Sequence, residues 1–252
     1  MASNPPGACC VRGTAFEGEP TGRMIQVGGR IAAYVSDAPA SISRQGHGIL
    51  YLPDVRGIWQ NSKLMADGFA ANGFTTLVLD VLDGDSVPRD RTTSSGVIDW
   101  LRHGSPGKHP HTPEYVDPLV VAGIRAMRDM GVDKIAAVGY CFGAKYVARH
   151  YKSGIDVGFV AHPSLIDEEE LEAITGPLSI AAAETDAIFP AEMRHKSEEI
   201  LRRTGHRYQV NLYSGVDHGF AVRCNKDVRE EAFARDQAFK QALTWFEECL
   251  AE

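Results

Sequence analysis

The sequence predicts an α/β fold in which a mostly parallel central sheet is covered by helices on both faces. Short apolar runs alternate with amphipathic segments over most of the 252 residues, which is the order of elements in such folds. The runs are apolar on both sides, as expected for parallel strands buried between two helical layers. No linker divides the chain, so residues 1–252 are expected to form a single domain.

The elements can be read in order along the chain. Residues 1–22 are rich in glycine, proline and small side chains and are interpreted as an irregular N-terminal arm. Residues 24–27 and 30–35 are predicted to form a hairpin that adds an antiparallel edge to the sheet. Further strands are predicted at residues 48–53, 75–80, 134–139, 157–161, 178–183 and 207–212. Helices are predicted at residues 64–72, 118–130, 144–150, 190–203 and 228–250.

Residues 83–111 form a less regular insert with several prolines and glycines around a short helical stretch near residues 97–101. A long excursion after a strand commonly forms the lid or rim of a site. His109 and His111 lie in it with no third ligand nearby in sequence, so they are interpreted as loop residues rather than metal ligands.

Composition and charge limit the classes of function. The hydrophobic fraction is 44%, the charged fraction 23% and the net charge −7, which argues against nucleic acid as the main partner. We expect no signal peptide, no membrane span, a cytoplasmic location and a monomer or homodimer. Five irregularly spaced cysteines favour reduced thiols. No nucleotide-binding or zinc-protease motif occurs, so we expect no cofactor and no metal.

One motif carries chemistry. Residues 139–143 read Gly-Tyr-Cys-Phe-Gly between a predicted strand and a predicted helix, the pattern of a nucleophile elbow with sulfur in place of oxygen. A Cβ at either glycine would collide with the neighbouring strand and helix. The helix N-terminus favours a thiolate at Cys141, and Phe142 is expected to give its N–H to an oxyanion hole.

The partners of such a nucleophile follow in the order acid, then histidine. Asp186 leaves the strand predicted at residues 178–183, and His218 lies in the loop after the last predicted strand. A carboxylate in that place fixes the imidazole tautomer and stabilises its charged form. We therefore predict a Cys141–His218–Asp186 triad.

With these elements in place, the sequence resembles the dienelactone hydrolase family of the α/β-hydrolase fold, and most of all its fungal members, some of which act in secondary metabolism. The resemblance covers nearly the whole chain. The segments that carry it are PPGACC at residues 5–10, PDVRG at 53–57, GYCFG at 139–143, AHPS at 161–164, ETD at 184–186 and DHGFAVR at 217–223.

The resemblance implies roles for further residues. Asp54 stands where the family has an acidic residue near the resting thiol, and Val55 stands where it has the second oxyanion-hole N–H. Arg223 matches an arginine that binds the substrate carboxylate, with one extra residue in between. A second substrate-binding arginine of the family has no match in residues 81–85, and Arg56 is a candidate to replace it.

Five further residues are weighed against plain structural roles. Trp59 and Tyr140 are expected to shape an apolar pocket or to pack in the core. His162 follows a strand end and is expected either to line the pocket or to make structural hydrogen bonds. Cys9 and Cys10 suggest a metal site or a vicinal disulfide, but no nearby ligand completes a zinc set, so a structural role is expected.

The resulting hypothesis is a cysteine-dependent hydrolase that cleaves an ester or enol-lactone through a thioester. Its partner would be a small-molecule ester, lactone or polyketide-like compound. Two alternatives stay open. The same site could guide a non-hydrolytic cyclisation, dehydration or isomerisation, or the fold could serve as a non-catalytic small-molecule binding protein.

Overall fold

A computed structural model describes residues 1–88 and 93–251. Its eight strands form one sheet in the order β1-β2-β4-β3-β5-β6-β7-β8. The strands are β1 (Arg23–Val27), β2 (Ile31–Ser36), β3 (His47–Leu52), β4 (Thr75–Leu79), β5 (Lys134–Tyr140), β6 (Val157–Ala161), β7 (Leu178–Thr185) and β8 (Tyr208–Asp217). Strands β4, β3, β5, β6, β7 and β8 are mutually parallel, and the β1–β2 hairpin pairs antiparallel at one edge. The predicted fold class and its antiparallel edge are confirmed.

The helices cover both faces of this sheet. They are α1 (Gln60–Ala70), α2 (Ser94–His103), α3 (Pro113–Asp129), α4 (Phe142–Arg149), α5 (Glu168–Glu172), α6 (Ala191–Thr204), α7 (Phe220–Arg223) and α8 (Arg229–Leu250). Helices α1 and α8 bury their apolar side chains on one face, and α2, α3, α4 and α6 bury theirs on the other. Successive residues of β5 enter the two cores alternately, as the period of two along a strand requires.

The start predicted for the helix at residue 118 is wrong. Helix α3 begins at Pro113, with Thr112 at its N-cap, and Pro118 lies inside it. Either proline suits the first turn, where a missing N–H matters least, and Pro113 takes that place. The two short helices α5 and α7 were not predicted, because four or five residues are too few to show a helical period.

The predicted irregular arm has a single short 3-10 turn at Ala8–Val11 and is packed against the body of the protein. Ala2 and Cys10 have no exposed surface, and Phe16 is almost wholly buried. In the insert, α2 includes the predicted helical stretch, and residues 89–92 lie outside the described residues. No helix of the described chain is both long and apolar enough to cross a membrane.

Candidate active site

The site lies where the parallel strands of the sheet end. Asp54, Cys141, His162, Asp186 and His218 follow β3, β5, β6, β7 and β8 within two residues of each strand's last residue. Because parallel strands end at the same edge, these side chains come from distant parts of the chain into one region.

The elbow holds Cys141 in a conformation that few side chains adopt. Its φ is 51° and its ψ is −108°, so the residue has the positive φ that costs free energy outside glycine. A Cβ on Gly143 would lie 2.0 Å from the carbonyl oxygen of Leu52, and one on Gly139 would lie 2.7 Å from Cα of Ala144. Both positions therefore require glycine for steric reasons, and α4 begins directly after the cysteine.

Asp186 and His218 form a buried pair. The Oδ2 atom of Asp186 lies 2.9 Å from Nδ1 of His218. The other oxygen, Oδ1, accepts hydrogen bonds from the backbone N–H groups of Ile188 at 2.8 Å and Phe189 at 3.0 Å. Hydrogen bonds thus hold both oxygens of the Asp186 carboxylate. This carboxylate accepts a hydrogen bond from the N–H at Nδ1, so Nε2 of His218 points away from Asp186.

The Cys141 thiol lies beside this pair. A ring nitrogen of His218 and the Sγ atoms of Cys10 and Cys141 all lie within 4.8 Å of one another. Nε2 of His218 has no hydrogen-bond partner among residues 1–88 and 93–251.

The Sγ atom of Cys141 has two further neighbours. Cys10 Sγ lies 3.4 Å away and Ser164 Oγ lies 3.7 Å away. Both cysteines are without exposed surface. The arm therefore covers the elbow and places a second thiol in contact with the first.

The electrostatics favour a thiolate and an imidazolium. Burial opposes ionisation of Cys141, but a hydrogen bond with Cys10 and the charge of His218 hold its pKa well below its ordinary value. Burial alone would lower the pKa of His218, but the charge of Cys141 and the hydrogen bond with Asp186 raise it to about 10. Each group thus stabilises the charged form of the other.

Two backbone N–H groups are available for an oxyanion. Phe142 is the first residue of α4, and Val55 follows the end of β3. The carbonyl groups of Leu52 and Pro53, just before Val55, lie against Gly143. Within the described residues, neither the Phe142 nor the Val55 N–H donates a hydrogen bond. Both are therefore free to donate to a ligand.

Asp54 and Arg223 form a buried ion pair, in which Nη1 of Arg223 donates to Oδ2 of Asp54. The remaining atoms Nε and Nη2 of Arg223 have no partner in the part of the chain that the structure describes. Asp54 also accepts from the backbone N–H of Arg56 at 2.9 Å. The Asp54 carboxylate thus balances the charge of the Arg223 guanidinium, while two of the guanidinium nitrogens keep N–H groups without an acceptor in the described chain.

A cleft of about 220 Å³ opens beside this pair. Its walls include His218 and Arg223 from the body of the protein and Cys9, Arg12 and Gly13 from the arm. His218 and Arg223 therefore line the same cavity, which the arm helps to form.

The other predicted binding residues lie elsewhere. Arg56 donates to the carbonyl of Val11 and lies 5.8 Å from the ring centroid of Trp59. Tyr140 is buried with its ring 5.0 Å from that of Tyr51. None of these side chains lines the cleft.

His162 packs against His218. Its ring centroid lies 4.9 Å from that of His218, edge to face. Its side chain is fully buried and neither ring nitrogen has a partner in the described chain, so the expected structural hydrogen bonds are not seen. Burial and the charge of His218 hold its pKa well below the ordinary value, and the neutral ring limits how His218 can turn.

Comparison with known proteins decides the family. The model of the dienelactone hydrolase family matches residues 31–250. This chain belongs to the dienelactone hydrolase family. It is 45% identical to hydrolase pyvD of Aspergillus violaceofuscus over 99% of both chains, and 46% identical to hydrolase tropI of Talaromyces stipitatus over the full length of both. A thermophilic esterase of Thermogutta terrifontis shares the fold, with a TM-score of 0.64 and 16% identity over 91% of this chain and 94% of its own. The predicted family and its fungal affinity are confirmed.

The sequence did not predict the contacts of three residues in this member of the dienelactone hydrolase family. Cys10 contacts the elbow thiol although a structural role was expected for it, and Ser164 lies on the other side of the same sulfur. Asn61 is fully buried and binds the arm, since its Nδ2 donates to the carbonyl of Thr14 and its Oδ1 accepts from the N–H of Phe16. The only signal for Cys10 was its place in the arm segment PPGACC that carried the resemblance.

Proposed function

We propose that the protein is a cysteine-dependent hydrolase that cleaves a small-molecule ester or enol-lactone through a thioester on Cys141. One observation carries the proposal: a strained cysteine at a helix N-terminus lies beside a buried His218–Asp186 pair. Membership of a hydrolase family supports the reaction class.

In the first half of the reaction, the Cys141 thiolate attacks the ester carbonyl carbon and a C–S bond forms. The N–H groups of Phe142 and Val55 stabilise the negative charge on the carbonyl oxygen. The His218 imidazolium gives its proton to the leaving oxygen as the C–O bond breaks. The products are a thioester on Cys141 and an alcohol or enol.

In the second half, His218 is neutral and takes a proton from water. The hydroxide attacks the thioester carbon, the same two N–H groups hold the oxyanion, and the C–S bond breaks. The thiolate and the imidazolium are regenerated, and a carboxylic acid leaves. Asp186 keeps Nε2 directed at the reacting atoms in both halves.

The cleft suits a small polar substrate. Arg12 and Arg223 line it together with Asp217 and Glu231, so it offers both basic and acidic side chains. A volume of about 220 Å³ suits a small molecule. Because Cys141 has no exposed surface, Cys10 must move aside for a carbonyl carbon to reach the sulfur.

The experiment compares Cys141→Ala with Cys249→Ala, a buried cysteine on α8 away from the site. With an aryl ester and an enol-lactone as substrates, Cys141→Ala should lose turnover while its circular dichroism is unchanged, and Cys249→Ala should retain it. Turnover by Cys141→Ala would refute the assignment.

Water labelled with ¹⁸O distinguishes hydrolysis from a cyclisation, dehydration or isomerisation at the same site. Hydrolysis places one labelled oxygen in the acid product. A product without label would contradict hydrolysis and support the non-hydrolytic reaction.

A further inference from the structure

The contact between the arm and the elbow joins two thiols that the hydrolysis does not need to join. We propose that Cys10 and Cys141 form a reversible disulfide when the protein meets a hydroperoxide, so that Cys10 is the resolving thiol of the nucleophile. The effect on activity rests on the function proposed above, but the bond itself can be detected without any activity.

The geometry needs little change. The two sulfurs lie 3.4 Å apart, and a disulfide bond is about 2.05 Å long, so they must approach by only about 1.4 Å. Both side chains lie in the core, away from bulk solvent. Once oxidised, Cys141 would therefore have Cys10 as its immediate thiol neighbour.

The arm is held where this contact can form. Asn61 binds the backbone on the C-terminal side of Cys10, and the N–H of Thr14 donates to the carbonyl of Arg223 at 3.1 Å. Gly13 lies so close to Arg223 that an added Cβ would be 2.4 Å from Cβ of that arginine. The position of Cys10 thus follows from several specific contacts on the body of the protein.

The two thiols have complementary roles. Cys141 is the sulfur whose pKa is held low by its neighbours, whereas the hydrogen bond to Cys141 raises the pKa of Cys10 well above its ordinary value. A thiolate reacts with peroxide and a neighbouring thiol then resolves the product. Cys141 is therefore the sulfur that is oxidised and Cys10 the one that condenses with it.

The steps balance. The Cys141 thiolate attacks one oxygen of hydrogen peroxide, the O–O bond breaks, and Cys141 becomes a sulfenic acid while the released hydroxide takes the proton of the His218 imidazolium to form water. The Cys10 sulfur then attacks the Cys141 sulfur, the S–O bond breaks, and the hydroxide leaves with the Cys10 proton as a second water. The two thiols together lose two electrons, which reduce the peroxide.

Cys9 is the competing thiol. It is half-buried and lines the cleft, and a hydrogen bond with Cys10 lowers its pKa to about 6. A vicinal bond between Cys9 and Cys10 is thus the rival product, and the variant Cys9→Ser separates the two.

The experiment treats the full-length protein with hydrogen peroxide in the presence of EDTA, because Cys10, Cys141 and His218 could also bind a thiophilic metal ion. Trypsin digestion without reduction should release residues 1–12 joined to residues 135–145. The joined peptide should persist in Cys9→Ser and be absent from Cys10→Ser. In parallel, wild-type activity should fall and return with dithiothreitol.

The variant Cys10→Ser sharpens the test. Without a resolving thiol, Cys141 of this variant should be oxidised further to sulfinic acid, which dithiothreitol does not reduce. After the same dose of peroxide, dithiothreitol should recover about tenfold less activity in Cys10→Ser than in the wild type. A bond between Cys9 and Cys10, or a wild-type Cys141 that goes to sulfinic acid as fast as in Cys10→Ser, would overturn the proposal. If Cys141→Ala retained turnover while the wild type still formed the joined peptide, the proposed function would fail and this inference would stand.

Discussion

The elbow and the N-terminal arm each bring a cysteine to the same buried contact, but they hold it differently. Cys141 is fixed by the chain itself, since β5 and α4 meet in a turn that forces a positive φ and admits only glycine at position 143. Cys10 is held through hydrogen bonds from other elements, above all from Asn61. Cys141 thus belongs to the framework of the sheet, whereas Cys10 depends on the docking of a separate segment.

The largest effect on activity is expected from changing the buried pair of Asp186 and His218. Asp186→Asn keeps an oxygen for the N–H groups of Ile188 and Phe189 but removes the charge that orients and stabilises the His218 imidazolium. The kcat value should fall by about 10,000-fold. The control is Asp85→Asn, which alters a similar buried pair between Asp85 and His111 and should retain activity. A similar loss in both variants would contradict the assigned role.

The steric demand of the elbow gives the next effect. An alanine at position 143 would place its Cβ 2.0 Å from a backbone carbonyl oxygen, so Gly143→Ala should lower the free energy of unfolding by about 3 kcal/mol. In Gly28→Ala the added Cβ meets nothing within 4 Å, so only the strain of a positive φ remains, about 1 kcal/mol. Urea unfolding of both variants measures the difference, and equal losses would refute the steric explanation.

The docking of the N-terminal arm should contribute less to the free energy of unfolding than the packing of the elbow does. Asn61→Ala leaves the half-buried carbonyl of Thr14, the buried carbonyl of Val222 and the N–H of Phe16 without their partner, and it should lower the free energy of unfolding by about 2 kcal/mol. Trypsin should cut faster after Arg12 while the circular dichroism of the sheet is unchanged. Asn72→Ala removes an exposed bond to Gly68 and should change neither by much. An arm that stays protected in Asn61→Ala would show that other contacts hold it.

The smallest effect concerns the pH profile. The pKa of Cys141 is held low, so its thiolate is present above that pKa and is lost as the pH falls through it, whereas the His218 imidazolium is lost as the pH rises through about 10. Cys10→Ala removes a hydrogen bond to the Cys141 thiolate. In this variant the pH below which the thiolate is lost should therefore rise by about one unit. The ultraviolet absorbance of the thiolate, taken as the difference from Cys141→Ala, measures this shift. An unmoved acid limb would show that Cys10 does not stabilise the thiolate.

The difference between the elbow and the arm also explains which site residues could be predicted from the sequence. The elbow is a local pattern, and its glycines, its cysteine and the strand and helix around it occupy adjacent positions, so Cys141 could be proposed directly. Asp186 and His218 could be proposed because parallel strands end at one edge. Cys10 and Asn61 carry no local pattern, because their contacts arise only when the arm docks on the body of the protein. The contact of Ser164 with Cys141 and the pairing of Arg223 with Asp54 were missed because each joins segments that are distant in sequence.

The most direct test of the central claim is to trap the acyl group. The protein is mixed with an activated acetate ester, quenched in acid within the first turnovers, digested and analysed by mass spectrometry. The account predicts one acetyl group on the peptide that carries Cys141, absent from Cys141→Ala and longer-lived in His218→Ala. An acetyl group on Ser164, or turnover without any group on Cys141, would contradict it.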